Sequence, residues 1–241
     1  LRHGLPKSWD AGAQEQFVGL VGVEAPEAET WARFEDGTSA VALLFSFLCE
    51  IIGTDYKSLV EYYIPDRYSE GYGISDQGVE YCRDNNVNLL ISLDCGIKAN
   101  DKVDLANQYG IDVIICDHHL EGDELPNAVA ILDPKRKDCP YPYKELSGCG
   151  VGFKLIQGYC QQYKLPDQLW LSRMDLVAIS MASDIVAITG ENRILAHFGL
   201  EIINKFPRMG IKSILDQAGI KLHYPFKEET IFSRVISISD L

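Results

Sequence analysis

Short, almost wholly apolar runs alternate with amphipathic stretches from residue 37 onward. Residues 59–64, 87–93 (VNLLISL), 111–116 (IDVIIC) and 128–132 read as strands, and the second and third are apolar enough to be buried. Residues 38–52 (TSAVALLFSFLCEII) read as a mostly apolar helix, and 75–85 as an amphipathic helix with Ser75 as its candidate N-cap. Residues 100–109 form a further helix that Gly110 stops. Strands of this kind, alternating with helices, predict a parallel sheet covered on both faces. After a loop rich in Pro and Tyr, the pattern becomes helical over 151–163, 168–182, 192–206 and 211–218. Residues 229–241 read as the start of a strand, and FVGLVGV at 17–23 can form one. The expected class is α/β: a parallel sheet flanked by helices, followed by a mostly helical segment.

The polar residues with chemical potential fall just after strand ends. Asp94 follows LLISL, and Asp117-His118-His119 follows IDVIIC. Open α/β sheets bind ligands at the carboxyl edge of their strands, so these residues are expected to share one edge. Two imidazoles preceded by a carboxylate suit Mn²⁺ or Mg²⁺, and less selectively Zn²⁺. An isolated His-His pair is more often a hydrogen-bonded loop pair. Three acids at predicted element ends, Asp36, Asp94 and Asp184, shift the balance towards a metal centre. Each also has a plainer role: Asp36 and Asp94 as helix caps, and Asp184 as a salt-bridge partner of Arg193. Residues 148–154 (GCGVGFK) form a Gly-rich turn opening a helix, where backbone amides and Lys154 could hold a phosphate. It is not a Walker sequence.

Composition narrows the class. The chain of 241 residues carries a formal net charge of −13. Such acidity does not favour strong binding of a phosphate backbone, which needs clustered Lys and Arg. An acidic, soluble cytoplasmic protein is expected. No apolar run approaches the ~18 residues of a membrane span, and no signal peptide is evident. The seven cysteines include no C-x-x-C pair, so reduced thiols are expected rather than a zinc site.

The segments IPDRYSEGYGIS, SLDCGI, ICDHH, LDPKR, ELSGCGVGFKL and SMASDIV, in this order, resemble those of RecJ-type exonucleases of the DHH phosphoesterase family. The resemblance implies a two-metal Mn²⁺ or Mg²⁺ site hydrolysing phosphodiesters, with single-stranded DNA degraded from its 5′ end in recombination and repair. It implies that Asp94 bridges the metals and that Asp36, His118 and Asp184 bind one of them. His119 would face the scissile phosphate, with Asp117 beside it in the catalytic group. Arg67, Gly150 and Lys154 are implied substrate contacts, and Tyr68, Tyr72 and Tyr141 are candidate stacking surfaces. No membrane partner is expected.

The sequence departs from the family at its first motif, D-Y-D-x-D-G-T, where this chain reads Ala32-Arg33-Phe34-Glu35-Asp36-Gly37-Thr38. Phenylalanine cannot coordinate a metal, and Glu35 points to the other side of an extended segment. The apolar strand that precedes the motif in the family is expected to be missing, replaced by VEAPEAETW. One well-formed cation site and impaired activity are therefore expected. The expected organisation is a divergent or artefactual segment over 1–35, a DHH domain over 36–190 and a helical continuation over 191–241 that stops before the second family domain. Two other functions fit the residues less well: a non-catalytic or nucleic-acid-binding remnant, and a hydrolase of short oligonucleotides, cyclic dinucleotides or pyrophosphate.

Overall fold

A computed structural model describes residues 17–21, 36–52 and 60–220; for 17–21, 36–39 and 52 it describes the backbone alone. Five parallel strands form one sheet in the order β2-β1-β3-β4-β5, with β1 Phe17–Val21, β2 Val60–Tyr63, β3 Leu89–Leu93, β4 Asp112–Cys116 and β5 Ala130–Leu132. The helices are α1 Asp36–Ile52, α2 Asp76–Asp84, α3 Asn100–Gln108, α4 Gly148–Tyr163, α5 Gln168–Leu171, α6 Met174–Ser183, α7 Gly190–Lys205 and α8 Met209–Gln217. The expected α/β architecture with a helical continuation is the architecture found.

Alternation along the buried strands divides the core in two. Leu89, Ile91 and Leu93 of β3 and Ile114 and Cys116 of β4 face α1, α4 and α6. Leu90, Val113 and Ile115 face the other way, onto Val79 and Cys82 of α2 and Val103 and Ala106 of α3. Both faces are apolar because both are covered, which is why these strands show no sequence alternation. The chain leaves β1 for β2 on one side and returns to β3 on the other. That reversal opens a crevice at the carboxyl ends of β1 and β3, where ligands bind in such sheets.

Three elements differ from the sequence expectation. The strand expected to be missing before Asp36 lies further upstream: β1 occupies the slot between β2 and β3, inside the segment 1–35. The helix expected over 168–182 is broken between α5 and α6. There the Arg173 guanidinium, 2% exposed, takes the Leu169 carbonyl and reaches Glu50 and Ser46 of α1. α4 begins three residues earlier than expected, because Ser147 caps it by accepting the Gly150 N–H at 3.2 Å. Ser75 caps α2 in the same way through the Gly78 N–H, and Gly110, at φ 74°, ends the turn after α3. The strand expected over 229–241 lies outside the described residues. No described helix is long and apolar enough to cross a membrane.

α6 and α7 pack most closely at Gly199, where a Cβ would overlap the Met174 carbonyl and stand 2.7 Å from the Ala178 methyl. Because the obstruction is partly backbone, the helices themselves must part. Gly199→Ala is expected to destabilise the fold by about 2 kcal/mol or more, measured by urea denaturation.

Candidate metal centre

Three aspartates stand in register along the carboxyl edge of the sheet. Leu93 is paired with Cys116, and Cys116 with Leu132, so the residues that follow form a row: Asp94, Asp117 and Asp133. The ladder runs one step into this row, with the Asp94 N–H donating to the Cys116 carbonyl (2.8 Å) and the Asp117 N–H to that of Leu132 (3.0 Å). The three residues are 9%, 1% and 2% exposed. Buried carboxylates need partners, and each finds a different solution.

Asp94 turns into the left-handed region, φ 63°, a conformation that costs a residue with a Cβ about 1 kcal/mol. The turn lays its side chain against the first residue of α4, Gly148. A Cβ there would overlap the Asp94 Oδ1, Cγ and Cβ atoms, so only glycine leaves the carboxylate its place. Asp94 Oδ1 stands 3.1 Å from Nε2 of His118, and Oδ2 of Asp184 stands 3.3 Å from the same nitrogen. All three atoms are buried and have no hydrogen-bond partner. His118 is fixed from behind: its Nδ1 donates to the Leu146 carbonyl at 3.1 Å, which leaves Nε2 as the ring nitrogen facing the two carboxylates. Burial pulls the His118 imidazole down, but the carboxylates of Asp94 and Asp184 outweigh it and the net direction is up. Burial likewise raises the carboxyl of Asp184.

The supporting elements are tied together. Ser147, fully buried, accepts a hydrogen bond from Ser180 of α6 at 2.7 Å. The segment 146–148 therefore orients His118, caps α4, clears space for Asp94 and ties down α6, whose C-cap is Asp184. Ile185 then turns left-handed, φ 51°, an unusual conformation for a β-branched residue. Among the described residues no ion pair joins Asp184 to Arg193; its partner is His118.

Asp117 uses its oxygens within the chain. Oδ1 accepts from the N–H groups of His118 (2.7 Å) and His119 (3.2 Å) and from Nδ1 of His119 (2.7 Å), and Oδ2 accepts from the Ile97 N–H (2.9 Å). Burial would raise its carboxyl, but these bonds, led by His119, hold it below the usual range. Asp117 thus positions His119, whose half-exposed ring packs edge-on to His118 with centroids 4.6 Å apart. Asp94, His118 and His119 bring ligand atoms within 4.8 Å of one another. A further layer, which sequence reasoning did not connect to the centre, lies outside His119. Tyr72 packs edge-on to it, donates its hydroxyl to the Asp94 carbonyl at 2.9 Å, and carries the exposed Arg67 guanidinium 5.7 Å from its ring centre.

The remaining sequence candidates stand differently. Gly150 is buried, with its N–H committed to Ser147. The Lys154 ammonium is held by Glu191 and by Gln157 (2.9 Å). Asp36 opens α1, but its side chain, like Phe34 and Glu35, lies outside the described residues.

The donor set of two carboxylate oxygens and one imidazole nitrogen, all unpartnered and aimed together, fits a divalent cation such as Mn²⁺ or Mg²⁺. A family model described as DHH family, N-terminal domain, matches residues 35–181. This chain belongs to the DHH family. Among similar DHH-family proteins, the single-stranded-DNA-specific exonuclease RecJ of Bacillus subtilis is 38% identical over 184 residues, covering 76% of this chain and 22% of the relative. RecJ of Escherichia coli is 36% identical over 171 residues, covering 67% and 30%. The chain thus spans less than a third of the length of these relatives. A crystal structure of exonuclease RecJ bound to manganese superposes with a TM-score of 0.73 at 24% identity, over 92% of this chain and 51% of that one. RecJ from Thermus thermophilus in complex with Mn²⁺ gives 0.69 at 22% identity, over 92% and 28%. At these identities the superpositions establish the shared fold.

Two expectations follow from the centre. Gly148→Ala crowds the Asp94 carboxylate and is expected to weaken Mn²⁺ binding at least tenfold by calorimetry, while the metal-free protein stays folded by circular dichroism. Asp133 keeps Oδ2 buried and unpartnered, and burial pushes its carboxyl up to about 6. A carboxyl raised in folding contributes stability that is whole below about pH 4 and lost as pH passes about 6. In metal-free protein, the stability of Asp133→Asn relative to wild type is expected to rise by on the order of 2 kcal/mol between pH 4.5 and 7.5, measured by urea denaturation.

Proposed function

We propose that this chain is the catalytic core of a metal-dependent nuclease that hydrolyses phosphodiester bonds of single-stranded DNA from the 5′ end, in the cytoplasm, during recombination and repair. The observation that carries this reading is the convergence of Asp94 Oδ1, His118 Nε2 and Asp184 Oδ2 with no partner but one another. The names of the relatives and the manganese-bound RecJ structures support it.

Asp94, His118 and Asp184 would hold the cation, with Asp36 from the start of α1. A cation bound there supplies Lewis acidity at a phosphoryl oxygen and an acidified water. His119, with Nδ1 donated to Asp117, presents Nε2 to the scissile phosphate, and the Asp117 carboxylate raises the basicity of the imidazole. Arg67, exposed beside Tyr72, serves as a contact to the strand outside the centre. Asp117 acts through His119 as a positioning residue. The domain organisation that goes with this reading is a DHH domain that takes in β1 and runs to about residue 190, followed by a helical continuation through α7 and α8.

One observation favours a second reading, an impaired or non-catalytic member: Phe34 stands where the family motif has a ligand for the other metal. On that basis the chain holds one cation tightly. Calorimetry is expected to give one tight Mn²⁺ per chain, lost in His118→Ala, and two in Phe34→Asp. Degradation of a 5′-labelled single strand is expected to rise at least tenfold in Phe34→Asp. Absence of Mn²⁺ binding in wild type, or binding indifferent to His118→Ala, overturns the centre. Two tight sites in wild type overturn the impairment.

A further inference from the structure

A second concavity shares the His119 wall with the cation centre. It has a volume of about 410 Å³ and lies between the turn at Tyr72–Ile74 and the β3–α3 connection, with Asp117 and His119 at its inner end. Its size is that of a single small ligand, at the low end of the roughly 300–1,000 Å³ usual for binding pockets.

The charged groups in its lining are mostly spent. Asp117 is consumed by four hydrogen bonds from Ile97, His118 and His119. Lys102 is held by Asp76 at 2.8 Å and by Asp101 at 3.1 Å, which also occupies Asp101. Lys98 remains. It is exposed, and among the described residues no carboxylate is paired with it. Its stem passes close to Gly122, and among the described residues Glu121 of that neighbouring loop is engaged by Lys137 at 3.3 Å. Lys98 thus lines the same cleft as His119 without a carboxylate partner among the described residues. The outer wall is Tyr72, 53% exposed and held in fixed relation to the metal ligand by its hydroxyl bond to the Asp94 carbonyl.

We propose that this cleft seats the nucleotide adjoining the scissile phosphate, with Lys98 against its phosphate and the Tyr72 ring along its base or sugar. The inference rests on the nuclease reading of the centre and adds to it where the substrate lies. Lys98 supplies positive charge to this cleft. Tyr72 joins the seat to Asp94, so a nucleotide in the cleft brings its neighbouring phosphate to His119.

The test is binding of a fluorescent dT oligonucleotide to the whole chain in Mn²⁺, titrated with salt, with Mn²⁺ affinity measured separately by calorimetry. Lys98→Ala is expected to weaken oligonucleotide binding on the order of threefold to tenfold and to lower the salt slope by about 0.7, the share of one phosphate contact on a single strand. Lys98→Arg should bind as wild type, and Lys164→Ala, a lysine remote from the cleft, should leave the slope unchanged. Mn²⁺ affinity should be the same in all three. Oligonucleotide binding and salt slope unaltered in Lys98→Ala, with Mn²⁺ binding intact, would overturn the seat and leave the metal centre standing. An equal loss in Lys164→Ala would overturn it too, as a net-charge effect. Failure of the wild type to bind Mn²⁺ would overturn the underlying reading instead.

Discussion

The site depends on one hydrogen bond made on the far side of an imidazole. By donating Nδ1 to the Leu146 carbonyl, His118 turns Nε2 towards two carboxylate oxygens. Held as it is, Nε2 and two carboxylate oxygens share a space from which water is largely excluded, and a cation entering it would find three ligand atoms already aimed together. The orientation of a ligand by its outer hydrogen bond, more than the ligand's identity, makes the cluster a binding site.

That bond places a demand on the scaffold, because Leu146 belongs to neither strand that carries the acids. The segment 146–148 meets the demand by serving four neighbours at once. Its carbonyl fixes His118, its serine caps α4 and accepts from Ser180, and its glycine makes room for Asp94. Strain is concentrated nearby, at Asp94 and Ile185, the residues that aim or follow the two carboxylates. Local conformations of this cost persist only where surrounding structure over-determines them. Both β3–β4 pairing and the α4–α6 contact supply that here.

The row Asp94, Asp117 and Asp133 shows one residue type serving three purposes according to its neighbours. Asp94 faces Nε2 of His118 across 3.1 Å. Asp117 meets four N–H donors and becomes an anchor for His119. Asp133 satisfies one oxygen on the Lys135 N–H and leaves the other bare. Charge on the open side is equally local. The chain as a whole carries net negative charge, and its positive charge near the centre is confined to individual side chains such as Arg67, stacked over Tyr72, and Lys98, in the cleft that His119 also lines.

Much of the fold was legible from the chain alone. Buried apolar runs, Ser75 as a cap and Gly110 as a stop gave the strands and helices within a few residues, because these signals are local. The break at Arg173 was not legible, since it arises from a guanidinium reaching α1, more than a hundred positions away. The same division runs through the site. Carboxylates and imidazoles after strand ends could be named from the sequence as ligands, because strand direction alone sends them to one edge. Which of them would meet could not be read there. Register set the row of aspartates, and the packing of α4 against the sheet brought Leu146 to His118 and Gly148 to Asp94. Lys154 and Lys98 look alike in the sequence, yet one is paired with Glu191 and the other lines the cleft that His119 also lines, with no carboxylate paired to it among the described residues. Chemical identity is a property of each residue. Partnership depends on distances between segments far apart along the chain, and only the tertiary structure fixes those.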